Sequence, residues 1–327
     1  MKGLVWVVVL ALLAAGGAGW VLEVPFGPGQ ETFVEIPSGM GTVGIARALK
    51  AGGVIRSKEA FELYRKATGG TLKAGEYRFE GPLKLGEVYR KIARGEVYTK
   101  TLVVPEGFNL FDIAAAVEQA GLGPSAEMLA AERRDVGLIA DLNPGAVSLE
   151  GYLFPSTYQF GRRATPDQMV AAMVKRFRVA AAQLGLLGRP GLARTVTLAS
   201  LIEKEVRVDA ERPLVGGVFE NRLRVGMPLA TDPSVIYAAM LEGRWRGTIY
   251  QSDLQSQSPY NTYRHAGLPP GPIANPGVAA LQAAMHPAVT DYLYFVADAA
   301  GHSQFSVDLK GHAAQVQAYR KAVGGAR

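Results

Sequence analysis

Chemistry in this 327-residue sequence must rest on carboxylates, because the other usual groups are missing. There is no cysteine, which excludes a thiol nucleophile, Cys-ligated zinc and iron–sulfur clusters. No Gly-x-Ser-x-Gly, His-Glu-x-x-His, Walker or dinucleotide signature occurs. His265, His286, His302 and His312 have no metal-ligand spacing, so neither a metal nor a cofactor is expected. Glu150 is the first candidate, set in SLEGYLFPSTY among Leu149, Tyr152, Leu153, Phe154 and Tyr158. Apolar and aromatic neighbours desolvate a carboxylate and raise its pKa, which lets a Glu stay protonated near neutrality and act as a general acid. Gly151 beside it would let a backbone, or a long substrate, come close. On residues alone Glu150 reads equally well as an exposed Glu at the start of a strand.

Glu203 and Glu205 follow, in TVTLASLIEKEV. At about 100° per residue, Glu205 falls on the apolar stripe with Leu198, Leu201 and Ile202, and Glu203 at its edge, while Thr197, Ser200 and Lys204 form a polar face. A carboxylate on a buried face needs a partner, and Arg212 and Arg222 are near in sequence. An ion pair or a substrate-positioning role fits these two better than direct proton transfer. A third constellation is polar and aromatic: ATDPSVIYA, with Thr231 and Asp232, and SPYNTYRHAGLPPGPIANPG, with Tyr260, Asn261, Thr262 and Tyr263. Such loops suit hydrogen bonding to and stacking on a sugar polymer, and they also occur purely as structure.

The elements that must hold these groups read as α+β. A self-comparison aligns IPSGMGTVGIARALKAGGV (36–54) with VPEGFNLFDIAAAVEQAGL (104–122), and each copy reads as a strand, a Pro-x-Gly turn and a helix ended by glycine. The first copy continues through helices at 43–51 and 57–68 to a strand at 72–79. If the duplication runs on, LKAGEY (72–77) corresponds to LEGYLF (149–154), placing Glu150 at the turn entering the second copy's last strand. A helix at 85–94 and a strand at 98–104 follow the first copy. Helices follow at 166–184, 192–208 and 212–224, then a loop-rich stretch 227–276, a helix at 277–285, a strand at 292–297 and a terminal helix from 311.

The N-terminus sets the compartment. Leu4 to Leu22 is an uncharged run of 19 residues. As a helix it spans roughly 28 Å, close to the hydrocarbon thickness of a bilayer. Lys2 precedes it and Trp6 and Trp20 flank it, so residues 1–3 are expected in the cytoplasm and everything after the run outside. A cleaved signal peptide is the competing reading, though the apolar core is long for one. Residues 23–30, with PFGPGQ, read as a short stiff linker. The formal charge of +6 is interspersed with acids, without the like-charge runs of a nucleic-acid binder.

These motifs, in this order, resemble the YceG-like family of membrane-anchored endolytic murein transglycosylases. The resemblance rests on LEGYLFPSTY, LASLIEKEV, VFENRLRVGMPLATDPSVIYA, YNTYRHAGLPPGPIANPG and the final HP…YLYFVAD segment, and it covers nearly the whole chain. It implies a small LysM-like domain over 31–98 and a catalytic domain over 99–327. It implies that Glu150 is the catalytic acid, that Glu203, Glu205, Thr231, Asp232 and Tyr260 to Tyr263 line a substrate cleft, and that no cofactor is needed. The implied substrate is the peptidoglycan glycan strand, with penicillin-binding proteins as partners. A hydrolase of the same bond using Glu203 or Glu205, and a wall-binding scaffold without catalysis, are the rival readings.

Overall fold

The computed structural model describes residues 2–324, except for side chains at 2–4, 8, 10–15 and 18 and at 323 and 324. The chain forms two compact units, Met1–Lys100 and Thr101–Arg327.

The first unit begins with α1 (Lys2–Glu23) and continues through β1 (Thr32–Ile36), α2 (Thr42–Ala51), α3 (Lys58–Thr68), β2 (Gly75–Phe79) and α4 (Leu85–Arg94). Local chemistry sets the ends of these helices. The Ser57 hydroxyl accepts the Ala60 N–H at the start of α3, and Gly95 closes α4 in the left-handed conformation. Strands β1 and β2 pair antiparallel, from Thr32 opposite Phe79 to Ile36 opposite Gly75. Proline at position 37 ends β1, so the 72–74 stretch has no strand to pair with and β2 starts later than the sequence suggests. Ile36, Leu49, Phe61, Tyr77, Phe79 and Ile92 form the core of this unit. The segment expected to be a linker is tied down: Phe26 and Leu83 exchange backbone hydrogen bonds of 2.9 and 3.0 Å, and the Arg56 guanidinium donates to the Val24 carbonyl at 2.8 Å.

Helix α1 contains the apolar run 4–22. Among the described residues no helix is long and apolar enough to cross a membrane, and nine of the 19 side chains of the expected span lie outside the described residues.

The second unit opens on β3 (Lys100–Val104), α5 (Leu110–Gln119), α6 (Ser125–Arg134), a short 3₁₀ turn and β4 (Ser156–Phe160), with β3 and β4 paired. The strand–helix–helix–strand pattern of the first unit thus recurs. Its closing strand is STYQF and not LEGYLF, which is a buried turn; STYQF matches GEYRF at Tyr77/Tyr158 and Phe79/Phe160. The two tyrosines make the same bond, each hydroxyl donating to the carbonyl four residues back, Lys73 in one case and Phe154 in the other. The repeat shifts because 21 residues, 135–155, connect α6 to β4 whereas 69–74 connect α3 to β2.

The remaining helices are α7 (Pro166–Gln183), α8 (Leu192–Glu205), α9 (Arg212–Arg224), α10 (Asp232–Leu241), α11 (Gln251–Leu254), α12 (Val278–Met285) and α13 (Leu309–Gly324), with a hairpin of β5 (Tyr294–Ala297) and β6 (Ser303–Ser306) before the last. Helix α8 is packed by α9, α10 and α12 and is buried on nearly every side. Thr197 and Ser200, expected on a polar face, are therefore interior, and the Ser200 hydroxyl accepts the Ile273 N–H at 3.1 Å. The helix stops at Glu205, three residues before its expected end. Helix α10 lies inside the stretch read as loop; Pro233 in its first turn is a start signal that the surrounding prolines and glycines conceal.

Candidate active site

Glu150 sits in the turn between α6 and β4, only 3% exposed. Three donors converge on its carboxylate. The backbone N–H of Leu110 reaches Oε2 at 3.0 Å, the Asn275 side-chain amide reaches Oε1 at 2.9 Å, and the Tyr237 hydroxyl also acts on the carboxylate. Leu110 is the first residue of α5, so the positive end of that helix faces the carboxylate. The helix end is itself braced: the Asn109 side chain accepts the Phe111 and Asp112 N–H groups, and Asp112 accepts the Asn109 N–H. Asn275 cannot turn over, because its Oδ1 accepts the Leu153 N–H at 2.8 Å while its Nδ2 also donates to the Phe108 carbonyl.

Two tendencies oppose each other at this group. Burial, the larger, pushes the Glu150 pKa up to about 8, with help from the Asp112 charge, while the Leu110 N–H, the Tyr237 hydroxyl and the Gly151 N–H favour the anion. The result is a carboxylic acid at neutral pH whose conjugate base is already provided with donors. Tyr237, raised by its own burial and by Glu150, remains a phenol and stacks edge-on against Tyr260 at 5.2 Å between ring centres. Gly151, with φ of +87°, has no room for a side chain, since a Cβ would meet Pro272 at 2.5 Å and Val196 at 2.8 Å. The close approach expected there is made by the protein itself.

The other expected site residues separate into three groups. Tyr260 alone joins Glu150, and the Glu150 charge adds to the burial that raises its pKa. Glu205, Thr231, Asp232 and Tyr263 line a separate cavity of about 430 Å³ with Arg222, Tyr294 and His312. There burial pushes Glu205 up to about 7, the Asp232 charge adding to it, and the Tyr263 hydroxyl donates to Asp232 at 2.7 Å. Helix α10 runs between the two places, with Asp232 at its start and Tyr237 five residues on, a rise of about 7.5 Å. The third group is committed to the fold. Glu203 binds Arg212 at 2.9 Å with one oxygen and the Gly277 N–H, at the start of α12, with the other. Asn261 donates to the carbonyls of Leu254 and Ser256, and Thr262 joins Ser234 and Thr231 in a buried hydroxyl cluster that pins the start of α10.

Sequence reasoning misses three groups around Glu150. Asn275 and Tyr237 lie 125 and 87 positions downstream, and only PIANPG and the apolar period of α10 hint at them. The third is Glu132, on α6, wholly buried and with no hydrogen-bond partner on either carboxylate oxygen. Burial first, and the Glu150 charge second, push its pKa up to about 10. Its backbone carbonyl accepts the Leu149 N–H at 2.8 Å, which fixes the turn bearing Glu150.

Comparison with known proteins places the chain in a family. Residues 34–318 match the model of the YceG-like family. A Bacillus subtilis protein named endolytic murein transglycosylase is 37% identical over 299 residues, covering 85% of this chain and 82% of its own length. A Streptococcus pneumoniae protein of the same name is 32% identical over 336 residues, 90% of this chain, and the match takes in 60% of that longer relative. Among solved structures, a yceG-like protein from Listeria monocytogenes superposes with a TM-score of 0.60 at 33% identity, covering 87% of this chain and 99% of the other.

Proposed function

Because the chain belongs to the YceG-like family, we propose that it is an endolytic murein transglycosylase with Glu150 as its catalytic acid. The observation that carries the reading is the Glu150 environment: an acid kept protonated by burial, with three donors placed for the carboxylate it becomes. In a peptidoglycan strand it would protonate the glycosidic oxygen between N-acetylmuramic acid and N-acetylglucosamine as an oxocarbenium-like centre develops. Leu110, Asn275 and Tyr237 then stabilise the carboxylate formed, charge that is absent before proton transfer. The carboxylate next takes the proton of the muramic acid 6-hydroxyl, whose oxygen closes on the anomeric carbon and leaves a 1,6-anhydro end. Tyr260 lines the cleft at this point, and the Glu205 cavity with Thr231, Asp232 and Tyr263 extends the substrate-binding surface.

A hydrolase of the same bond would need a second carboxylate free to activate water or attack the sugar. The carboxylates that act electrostatically with Glu150 are Asp112, engaged in capping α5, and Glu132, sealed in the core. Glu203 is held by Arg212 and Gly277, and Glu205 lines the cavity that helix α10 sets apart from Glu150. The lyase reading is therefore favoured. The 4–22 run serves as an uncleaved anchor with residues 1–3 in the cytoplasm, and the LysM-like 31–98 domain and the 99–327 catalytic domain lie outside the inner membrane, where new strands and the penicillin-binding proteins that make them are found. Digestion of purified sacculi tests the chemistry. Anhydro-ended fragments that disappear in Glu150→Gln are expected; fragments heavier by one water would indicate the hydrolase, and undiminished cleavage by the variant would remove Glu150 from its role.

A further inference from the structure

The first unit does not hang from its N-terminal helix on a spacer but grips it from the side. Arg56 lies 4.0 Å above the Trp20 ring, also faces Phe26, and donates to the carbonyls of Val24 and Pro25. Lys84 pairs with Glu23 at 2.8 Å. Helix α3 lies along α1, and the two form a groove of about 400 Å³ lined by Gly17, Val21 and Leu22 on one side and Ala60, Leu63 and Tyr64 on the other. Leu63 is 69% exposed and Trp20 54% exposed. Gly17 lies five residues before Leu22, a rise of about 7.5 Å down the helix from the end of the apolar run. Whatever surrounds residues 17–22 therefore also surrounds the face of α3 that touches them.

We propose that the Ala60–Leu63–Ala67 face of α3 is immersed in the outer leaflet of the bilayer beside α1, as an interfacial amphipathic helix. This rests on the anchor reading above. With residues 4–22 spanning the hydrocarbon, the contact with Gly17 sets α3 about one and a half turns below the end of the span, within the ~5–10 Å depth such helices reach. The sequence of α3, KEAFELYRKAT, has the composition for it. Phe61 is turned into the domain core and Leu63 outward, and Arg65 and Lys66 in the last turn supply positive charge for phospholipid head groups. The lipid is thus the solvent that an exposed leucine beside an apolar groove otherwise lacks.

The absence of cysteine makes the test direct, since one introduced Cys takes a label alone. The full chain is reconstituted into vesicles of phosphatidylcholine and phosphatidylglycerol, with a polarity-sensitive fluorophore at Leu63→Cys, at Val9→Cys or at Val289→Cys. Quenching by lipids brominated along the acyl chain is then read at each position. Strong quenching at 9, intermediate quenching with a blue-shifted emission at 63 and none at 289 is the expected result. Quenching at 9 with a water-like signal at 63 overturns this proposal and leaves the anchor standing. A water-like signal at both overturns the anchor as well.

Discussion

The strand–helix–helix–strand unit occurs twice in this chain, and only one copy carries candidate chemistry. Both have the Pro-x-Gly turn, with Gly39 and Gly107 at φ of +81° and +79°, and both have the tyrosine that bonds the carbonyl four residues back. They differ at two places. In the first copy Gly41 precedes α2 and offers no side-chain cap. In the second, Asn109 and Asp112 brace the start of α5, and the N–H of Leu110 is directed at Glu150. The other difference is the connection to the last strand, short in the first copy and extended over 135–155 in the second, where Glu150 sits. A common scaffold thus acquires an acid through an insertion in one loop and a helix end prepared to receive its charge.

The largest expected effect comes from removing what the second copy has gained. Glu150→Gln should lower the rate of anhydro-product formation by roughly 10²–10⁴-fold, the usual contribution of a general acid. The same variant should be more stable than the parent near pH 8. The sign follows from the raised pKa: the folded state keeps a proton that the unfolded chain releases above about 4.5, so stability falls as pH rises from there toward 8. Thermal melts of parent and variant at pH 5 and pH 8 should converge at the lower pH and separate at the higher. Activity of the parent should decline above about pH 8 as Glu150 loses its proton.

Next come the donors with no counterpart in the first copy. Tyr237→Phe and Asn275→Ala each remove a donor that favours the anion, so each should slow turnover by about 10–100-fold, the equivalent of one charge-assisted bond. Each should also move the alkaline limb of the pH–rate profile upward. A downward move would show that the donors do not hold the carboxylate as described. Glu132→Leu replaces a buried, unpartnered carboxyl by an apolar side chain of similar size. It should raise stability at pH 8 by a few kcal/mol and much less at pH 5. The smallest effects belong to what the copies share. Tyr77→Phe and Tyr158→Phe should each cost about 1 kcal/mol of stability in denaturant titrations. A much larger loss for either would mean that the two bonds are not equivalent.

What the sequence discloses follows the range of the interaction concerned. The Pro-x-Gly repeat, the ends of α4 and α9 and the desolvating neighbours of Glu150 are visible because each depends on residues a few positions apart. Leu110, Tyr237 and Asn275 are not, since they reach Glu150 from 40, 87 and 125 positions away. A helical wheel shows that Glu203 and Glu205 border an apolar stripe, yet it cannot show that Arg212 and Gly277 claim the first while the second opens into a cavity. Glu132, in AAERRD, looks like any acid on a charged helix until the 135–155 connection folds over it. The repeat misleads in one place only, because an insertion alters the offset between strands that otherwise match as GEYRF and STYQF.

The bond from Asn275 to Glu150 also orders events in time. A chain emerging from the ribosome exposes the acid 125 residues before the amide that seats it. At ~5–20 residues per second this interval is on the order of ten seconds. Until Asn275 arrives, the 149–154 turn lacks the anchor at the Leu153 N–H, and Glu150 lacks one of the donors that stabilise its anion. A chain truncated between Glu150 and Asn275 would contain the acid without the amide that seats it.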